Sequence, residues 1–348
     1  MAKLFSASAR FLSFSGTVNR KSGGHFSLVA YALSRLGRVP AYKAFLCAIL
    51  FIRHQRALAT LLQSKRGSKL QKFIEARPEV REMVLTPYLA ANWNVPDRLA
   101  RIVDHCETVE TIGGIVDFPP DQTIDVLRLN AIDPRYRITL CQARWLLPDG
   151  QLILSLWDDI HRIFHIAFCL SSREGKLVAY VGGIQGRTDS YSRSENDGLE
   201  FDLLERYRHF TKAASGLRPR DFLVETFKVF CQALGVAEIR AVSDSNRRPA
   251  IAEIKLSYDE IWRERGGSYA GHGFFILPTT ASRRADEDIP AKKKAMYRKR
   301  YAMMSIVEAE LVQELRMPAR HIRDQVGMNE LQPRLQIEQL SGTTKSPG

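Results

Sequence analysis

Four consecutive runs of alternating apolar and polar residues lie between Tyr136 and Gly186, and they constrain the fold more than any other feature of this sequence. A period of two places the apolar side chains on one face of a β-strand. Turn-forming segments follow the first and third runs, "LPDG" at 147–150 and "SREG" at 172–175. Strands joined in this way pair with their sequence neighbours, so the runs predict a four-stranded antiparallel meander. The runs are "YRITLC" (136–141), "LILSL" (152–156), "FHIAFCL" (164–170) and "KLVAYVGGIQG" (176–186).

After the meander the period changes, and helices alternate with strands. Helical spacing predicts helices near 199–214, 218–235 and 258–267, and strands near 237–244 and 271–278. A long basic helix is predicted from Pro290 to about Arg316, and another helix begins at Pro96, before the meander. A strand, a helix and a strand in succession imply one parallel crossover. We therefore predict an α+β fold with a mostly antiparallel central sheet and a crossover helix.

Basic residues are concentrated at the start of the chain, and this asymmetry suggests the domain boundaries. Residues 1–74 hold thirteen Lys or Arg and no Asp or Glu, whereas residues 75–348 hold 38 basic and 38 acidic side chains. We divide the chain into a basic helical region (1–74), an α+β domain (75–320) and a polar, flexible tail (321–348). The basic region either lies on an anionic membrane surface or packs on the rest of the protein.

Cysteine usage and the lack of targeting segments favour the cytoplasm. The five cysteines are odd in number, widely spaced and free of CxxC pairs, which argues against a disulfide framework and a zinc site. The longest apolar run, "AFLCAILFI" at 44–52, is far shorter than the roughly 20 residues of a membrane-spanning helix. It also lies too far from the N-terminus for a signal peptide. We predict no metal, because His161 and His165 share a strand face without further ligands.

The segment "ASGLRPRDF" (214–222) has the composition of an anion-binding cradle. Pro219 is suited to the first turn of a helix, whose N-terminal amides carry partial positive charge. Gly216 allows close approach of a ligand to the backbone, and Arg218 and Arg220 add charge. The alternative is that both arginines are solvated residues at an ordinary helix start. We treat the two interpretations as equal.

The stretch "KKKAMYRKR" (292–300) places six cations in nine positions. On a helix beginning at Pro290, Lys293 and Arg300 fall on the same stripe as apolar residues that face the core. Burying an unpaired cation is costly, so an anionic ligand or a carboxylate partner is the favoured explanation. Two alternatives remain, namely side chains that extend to water and a nucleic-acid surface, of which nucleic acid is the least favoured because no recognition motif accompanies it.

A third group of polar residues follows the predicted strand "AEIRAVSD" (237–244). Ligands commonly bind beyond the C-terminal ends of strands at a crossover. Asn246, Tyr258, Asp259 and Glu264 lie there in sequence and offer hydrogen bonds and a proton donor or acceptor. Alternatively, Tyr258 is only a packing partner of Trp262 one helical turn away.

Five blocks in this order resemble the VirK/YbjX family of Gram-negative bacteria over about Ile74 to Met304. The blocks are "YVGGIQG", "TKAASGLRPRDFL", "IRAVSDSN", "YDEIWRERGG" and "IPAKKKAMYRKRYAMM". The resemblance implies a cytoplasmic bacterial protein associated with virulence and cell-envelope phenotypes. Contact of the basic region with lipid would place it peripherally at the inner membrane. The resemblance implies no catalytic mechanism. Relatives more often carry "AVSN" where this chain has Asp244 to Asn246, which weakens a role for Asn246.

The order of elements is also similar to the acyl-CoA N-acyltransferase fold. That resemblance implies a pyrophosphate site between the fourth meander strand and the next helix. The glycine signature of the fold is absent, because Gln185 and Gly186 are followed by roughly thirty inserted residues. The resemblance therefore implies either that the cradle has moved to Gly216–Arg220, or that the fold is kept without acyl-CoA binding.

Three functional hypotheses follow. The first is an acyltransferase that passes an acyl group from acyl-CoA to an amine of an envelope precursor or a protein. In it, Arg218 and Arg220 hold the pyrophosphate, and Tyr258 or Glu264 manages the proton. The second is a non-enzymatic adaptor that keeps the fold as a binding module. The third, and least favoured, is nucleic-acid binding. The sequence leaves the oligomeric state open.

Overall fold

The fold was analysed in a computed structural model of the chain, which divides into two units, Met1–Gln63 and Ser64–Gly348. The predicted helical stretch 28–62 therefore lies almost wholly outside the described residues, as do the polar insert 187–198 and everything after residue 324. The described residues are 64–77, 87–144, 147–159, 161–186, 203–248, 256–316 and 322–324, with the isolated positions 49, 52–54, 80 and 83.

Two capped helices precede the sheet. Helix α1 (Lys69–Ala76) begins where Ser68 Oγ accepts a hydrogen bond from the Gln71 amide. Helix α2 (Val95–Ile112) begins where Asn94 accepts one from Asp97, and its first turn contains proline. Its apolar stripe is buried, and it ends at Gly113, whose φ of 63° is in the left-handed region. The helix predicted from Pro96 is therefore confirmed.

Nine described strands form one sheet in the order β7-β8-β6-β5-β4-β3-β2-β1-β9. Strand β5 pairs with β6 in parallel, and every other pairing between these strands is antiparallel. The mostly antiparallel α+β fold with one crossover is thereby confirmed. The strands are β1 (Gln122–Arg128), β2 (Tyr136–Gln142), β3 (Leu152–Asp158), β4 (His161–Arg173), β5 (Lys176–Gly186), β6 (Glu238–Val242), β7 (Ser268–Tyr269), β8 (Phe274–Leu277) and β9 (Ile322–Asp324).

The meander differs from the prediction at two points. It contains a fifth strand, β1, whose register with β2 shifts between Asp125 and Leu127. This bulge interrupts the alternation that would have revealed the strand. The "LPDG" segment is not a tight hairpin turn but a short 3₁₀ helix, Leu147–Asp149, in which both end residues are buried. The buried Leu147 side chain draws the connection back over the protein instead of out into solvent.

Helices cover both faces of the sheet. Side chains alternate along β4, so Phe168 and Ser171 point to opposite faces. Phe168 packs against Phe227 of helix α4 (Pro219–Ala233), with ring centroids 4.9 Å apart. Ser171 hydrogen-bonds Arg101 of α2, so α2 lies on the face opposite α4.

Helix α3 (Leu203–Ala213) packs on the same side as α4. Its Phe210 ring contacts the Tyr136 ring of β2 at 4.9 Å and the Phe222 ring of α4 at 5.2 Å. Arg206 of α3 also pairs with Asp158 at the end of β3, at 2.7 Å. These contacts fix α3 beside the N-terminus of the crossover helix α4.

The C-terminal helix α6 (Lys294–Arg316) follows a 3₁₀ turn at Ala291–Lys293, and helix α5 (Tyr258–Glu264) lies earlier in the chain. Met304, Val307 and Leu311 of the predicted stripe are buried, but Lys293 is exposed. The stripe positions nearest to Lys293, namely Met296, Tyr297 and Arg300, are only half-buried, so the core does not extend along the helix as far as Lys293. The expectation that Lys293 points inward is therefore wrong.

Candidate ligand-binding cleft

The parallel pair β5–β6 ends at a bulge in β5. Pairing runs from Val178 opposite Glu238 to Val181 opposite Ala241 and goes no further. At the same level, Val181 and Gly183 of β5 oppose consecutive residues of β4, so Gly182 is the extra residue. A bulge bends the strand that contains it. Beyond Val181, the β6-facing edge of β5 is therefore open to other partners.

Tyr258, from the start of α5, occupies this open edge. Its hydroxyl accepts a hydrogen bond from the Ile184 amide (3.1 Å) and donates one to the Ile184 carbonyl (3.2 Å). Burial, together with the nearby negative charge of Asp149, raises the pKa of Tyr258 to about 12. Tyr258 thus completes the strand edge, and both hydrogen-bonding capacities of its hydroxyl are used by main chain.

A buried carboxylate, Asp149, lies against the bulge. Its side chain packs so closely on Gly183 that a Cβ there would come within 3.1 Å of the Asp149 Cβ. Asp149 Oδ1 accepts a hydrogen bond from Arg248 at 3.3 Å, while Oδ2 has no hydrogen-bond partner among the described residues. Burial raises the pKa of Asp149, although Arg248 opposes this effect. The arrangement is suited to accepting a proton near the bulge.

The other polar residues predicted after β6 hold the local backbone. Asn246 is buried, accepts a hydrogen bond from the Asn92 amide and donates to the Gly273 carbonyl. Asp259 Oδ1 accepts a hydrogen bond from the Asp244 amide. Asp244 in turn accepts hydrogen bonds from the amides of Tyr258 and Asp259, which lowers its pKa against the opposing effect of burial. These bonds position α5.

A cleft of about 750 Å³ lies between α3, the N-terminus of α4 and the start of α6. Its apolar wall includes the buried Phe164 of β4, Tyr207 of α3 and Met296 of α6. The remaining lining residues are Leu204, Arg208, Thr211, Lys212, Ser215, Gly216, Arg218, Pro219, Arg220 and Leu256. The volume is within the range of about 300–1,000 Å³ that is typical of small-molecule sites.

The last residues of β5 lie next to this cleft. A Cβ at Gly186 would collide with two of the cleft's wall residues, Phe164 and Tyr207. Gln185 pairs with His165 of β4 in the sheet register. The end of β5, where the sequence predicted ligand binding, is thus adjacent to the cleft.

Three exposed cations border the cleft without an ion pair in the described part of the chain, namely Arg208, Lys212 and Arg218. Arg218 is the N-cap residue of α4 and makes no side-chain capping hydrogen bond. Arg220 differs, because it donates to Asp221 (2.8 Å) and to Glu264 (2.6 Å). Arg218 is therefore free to meet an anion, whereas Arg220 and Glu264 neutralise each other.

Arg300 contacts the cradle from the other side. It donates two hydrogen bonds to the Ser215 carbonyl, at 3.2 and 3.1 Å, and stacks on the Tyr297 ring. A Cβ at Gly216 would lie 2.9 Å from Met296 Sδ and 3.0 Å from Arg300 Nη2. Arg300 lines a separate cavity of about 120 Å³, together with Glu264 and Glu308. Among the residues predicted to bind an anion, Gly216, Arg218 and Arg220 line the large cleft, Arg300 lines the smaller cavity, and Lys293 lines neither.

A fully buried cation, Lys228, lies beneath the smaller cavity. Its ammonium donates to the Arg265 carbonyl (2.6 Å), to Ser282 Oγ (2.8 Å) and to Glu225 (3.3 Å). Burial lowers the pKa of Lys228, and Glu225 opposes this. Because all three protons have acceptors, Lys228 joins α4 to the chain after β8.

Neither a metal centre nor a reactive thiol is found in the described ranges. No group of three or more metal-ligating side chains occurs within them. The four described cysteines are buried, and burial raises the pKa of Cys106 to about 12 and that of Cys141 to about 11. Such thiols are protonated at neutral pH and unreactive.

Sequence reasoning missed Arg208, Lys212 and Asp149. The two cations are four residues apart on α3 and therefore share a helix face. The sequence contains this spacing, but an ordinary solvent-exposed helix face has the same spacing. Asp149 was hidden in a segment interpreted as a turn. Nothing in its sequence neighbourhood indicates that it reaches the β5 bulge.

Comparisons with known proteins identify relatives of the chain. A sequence model of the family described as "Protein of unknown function (DUF535)" matches residues 38–313. The Escherichia coli (strain K12) protein YbjX, described as uncharacterized, is 24% identical over 255 residues, which cover 70% of this chain and 74% of that protein.

Two uncharacterized proteins of Haemophilus influenzae are also similar. One is 35% identical over 157 residues, covering 44% of this chain and 48% of its own length. The other is 27% identical over 193 residues, covering 54% of this chain and 60% of its own length. The matches thus cover less than two thirds of either Haemophilus protein. No solved structure matches the chain. Among the described residues, no helix has the length and apolar character needed to cross a bilayer.

Proposed function

This chain belongs to the DUF535 family, in agreement with the VirK/YbjX resemblance, and on that premise we propose that it binds an acyl-CoA in the large cleft and acts as an acyltransferase. The observation that carries the proposal is the combination of an apolar wall with three cations that lack ion-pair partners in the described chain. Such a cleft suits a ligand with an apolar part and a phosphate-rich part.

The position of the cleft within the fold supports this proposal. It lies at the N-terminus of α4, the crossover helix between the parallel strands β5 and β6, where helix amides carry partial positive charge. The order of an antiparallel meander, a crossover helix, a strand, a helix and a strand resembles that of the acyl-CoA N-acyltransferase fold. The cradle Gly216–Arg220 would take the place of the missing glycine signature.

The reaction proposed is the formation of an amide. A neutral amine attacks the thioester carbonyl, the C–S bond breaks, and the amine proton passes through a base to the departing thiolate, giving an amide and free CoA. No carboxylate or imidazole is among the described residues that line the cleft. Asp149 faces the other side of the sheet, because it packs on Gly183 whereas Gly186 meets the cleft residues Phe164 and Tyr207. The base is therefore left unassigned. The acceptor would be an amine of an envelope precursor or a protein.

Calorimetry of the full chain with acetyl-CoA and longer acyl-CoAs tests the binding step. We expect saturable binding that weakens at least tenfold in Arg218→Glu and in the double variant Arg208→Glu/Lys212→Glu. Lys176→Glu, in the exposed β4–β5 turn, is the charge-matched control and should bind like the original chain. If no acyl-CoA produces heat at any concentration, the proposal is excluded.

A second candidate function is a binding module without catalysis. The observation that favours it is the structural use of Tyr258, Asp259 and Asn246, which all hold main chain. It differs from the first proposal in the products of an incubation with acyl-CoA and an amine: a binding module would release no free CoA, whereas an acyltransferase would release CoA and form an amide. An anionic membrane surface stays a proposed partner of residues 1–74.

A further inference from the structure

We infer that the donor carries a long acyl chain, of about 12 to 16 carbons, which lies along the apolar wall of the large cleft. This inference rests on the proposed function and adds the class of acyl group. It follows from three properties of the cleft: its volume, the chemistry of its wall and the presence of cations without ion-pair partners in the described chain.

The volume of the cleft exceeds what a short acyl group would fill. A methylene group is close in size to a water molecule, whose share of liquid volume is about 30 Å³. On that scale a chain of 16 carbons occupies about 480 Å³, and an acetyl group less than a tenth of the cleft. The cleft of about 750 Å³ therefore holds a long chain with room for part of the head group.

The wall is built from carbon-rich side chains. Leu204 is 59% exposed and lines the cleft. Phe164, Tyr207, Pro219, Leu256 and Met296 complete this surface. Each methylene that such a surface removes from water can tighten binding by up to about fourfold in Kd.

Three cations line the cleft together with the apolar wall. Arg208 and Lys212 lie one helical turn apart on α3, and Arg218 caps α4. No described carboxylate pairs with any of the three. An acyl chain on the wall would therefore place the phosphates of its carrier beside charges that are not already neutralised.

The test compares CoA, acetyl-CoA, octanoyl-CoA, palmitoyl-CoA and free palmitate by calorimetry with the full chain, below the micelle concentration of each ligand. We expect Kd to fall by at least tenfold from acetyl-CoA to octanoyl-CoA and again to palmitoyl-CoA. Leu204→Asp should weaken palmitoyl-CoA binding at least tenfold more than it weakens CoA binding. Ile306→Asp is the matched control, because Ile306 is 49% exposed on α6 and does not line the cleft.

The outcomes separate this inference from the proposed function. Equal affinity for acetyl-CoA and palmitoyl-CoA overturns the long-chain inference and leaves acyl-CoA binding intact. Palmitate that binds as tightly as palmitoyl-CoA, with sensitivity to Leu204→Asp, supports the long chain and overturns CoA as its carrier. If Leu204→Asp and Ile306→Asp weaken palmitoyl-CoA equally, the chain lies elsewhere and the inference fails. Circular dichroism of each variant checks that the fold is retained.

Discussion

The Tyr258 hydroxyl bridges the amide and the carbonyl of the same residue, Ile184, at 3.1 and 3.2 Å. A side chain from α5 thereby supplies both hydrogen bonds that β6 no longer provides once the parallel pairing ends at Val181. The residue that sequence reasoning proposed as a proton donor is thus part of the sheet's hydrogen bonding.

Tyr258→Phe should therefore destabilise the fold. It leaves a buried amide and a buried carbonyl without partners, and each such group costs about 1–3 kcal/mol. We expect the free energy of unfolding, measured by urea denaturation, to fall by at least about 2 kcal/mol. Tyr269→Phe is the control, because Tyr269 is largely exposed and its hydroxyl accepts a single long hydrogen bond from Gly273. Unchanged stability in Tyr258→Phe with a loss of turnover would instead indicate a catalytic role.

Gly216→Ala should cost more stability than Gly235→Ala. Both glycines have left-handed φ, 79° and 78°, so alanine is strained at either position by about 1–2 kcal/mol. Only at Gly216 does the new Cβ press on Met296 and Arg300, whereas nothing lies within 4 Å of a Cβ at Gly235. Thermal unfolding of the two variants should differ by several degrees, and equal losses would mean that the contact at Gly216 gives way freely.

Lys228→Met should be strongly destabilising. It leaves Glu225 buried and deprived of its closest cation, a change that costs about 3–5 kcal/mol in other buried pairs. The double variant Lys228→Met/Glu225→Gln should recover only part of this loss, since it removes the buried charge of Glu225 but also the ion pair of Arg265 with Glu225 at 3.6 Å. Chemical denaturation of the single and double variants measures the coupling. Additive losses would contradict the ion pair.

His165→Leu should remove part of the acid sensitivity of the fold. Burial lowers the pKa of His165 well below its ordinary value, and neither ring nitrogen has a hydrogen-bond partner among the described residues. A histidine with a lowered folded pKa contributes stability that is fully present above about pH 6.5 and is lost as the pH falls towards the folded pKa. We expect the original chain to lose about 1.4 kcal/mol per pH unit from this group below pH 6.

The measurement is a series of urea titrations between pH 7.5 and pH 5. His165→Leu should reduce the slope of unfolding free energy against pH, and His209→Gln should not, because the His209 side chain is 56% exposed. Equal slopes in the original chain and in His165→Leu would show that the buried imidazole is already charged at pH 5.

The sheet was predictable where pairing is local. The alternation of Tyr136, Ile138 and Leu140, and the hairpin at Glu174–Gly175, depend on neighbours in sequence. Strand β1 was missed, because its bulge breaks the period of two. Strand β9 was missed, because three residues carry no periodic signal and its partner β1 lies about two hundred residues earlier.

The site was less predictable, because its geometry depends on tertiary contacts. Gly216 and Arg218 were identified from helix-start chemistry, which is local, although their role in binding stays a prediction. Lys293 was misplaced, because the sequence does not reveal that the late helix is buried only from Met303 onward. Asp149 reaches the β5 bulge only because the connection between β2 and β3, which contains it, folds back over the sheet.

The pairing of Ile322–Asp324 with β1 has a consequence for the association of the chain with other copies of itself. An uncovered strand edge presents a row of amides and carbonyls to which another molecule can add a strand. The three residues of β9 cover that row. A chain that stops after Arg316 should therefore self-associate as its concentration rises, while each molecule stays folded. Strand β9 would then prevent the addition of a strand from another molecule, which is the step by which fibres grow.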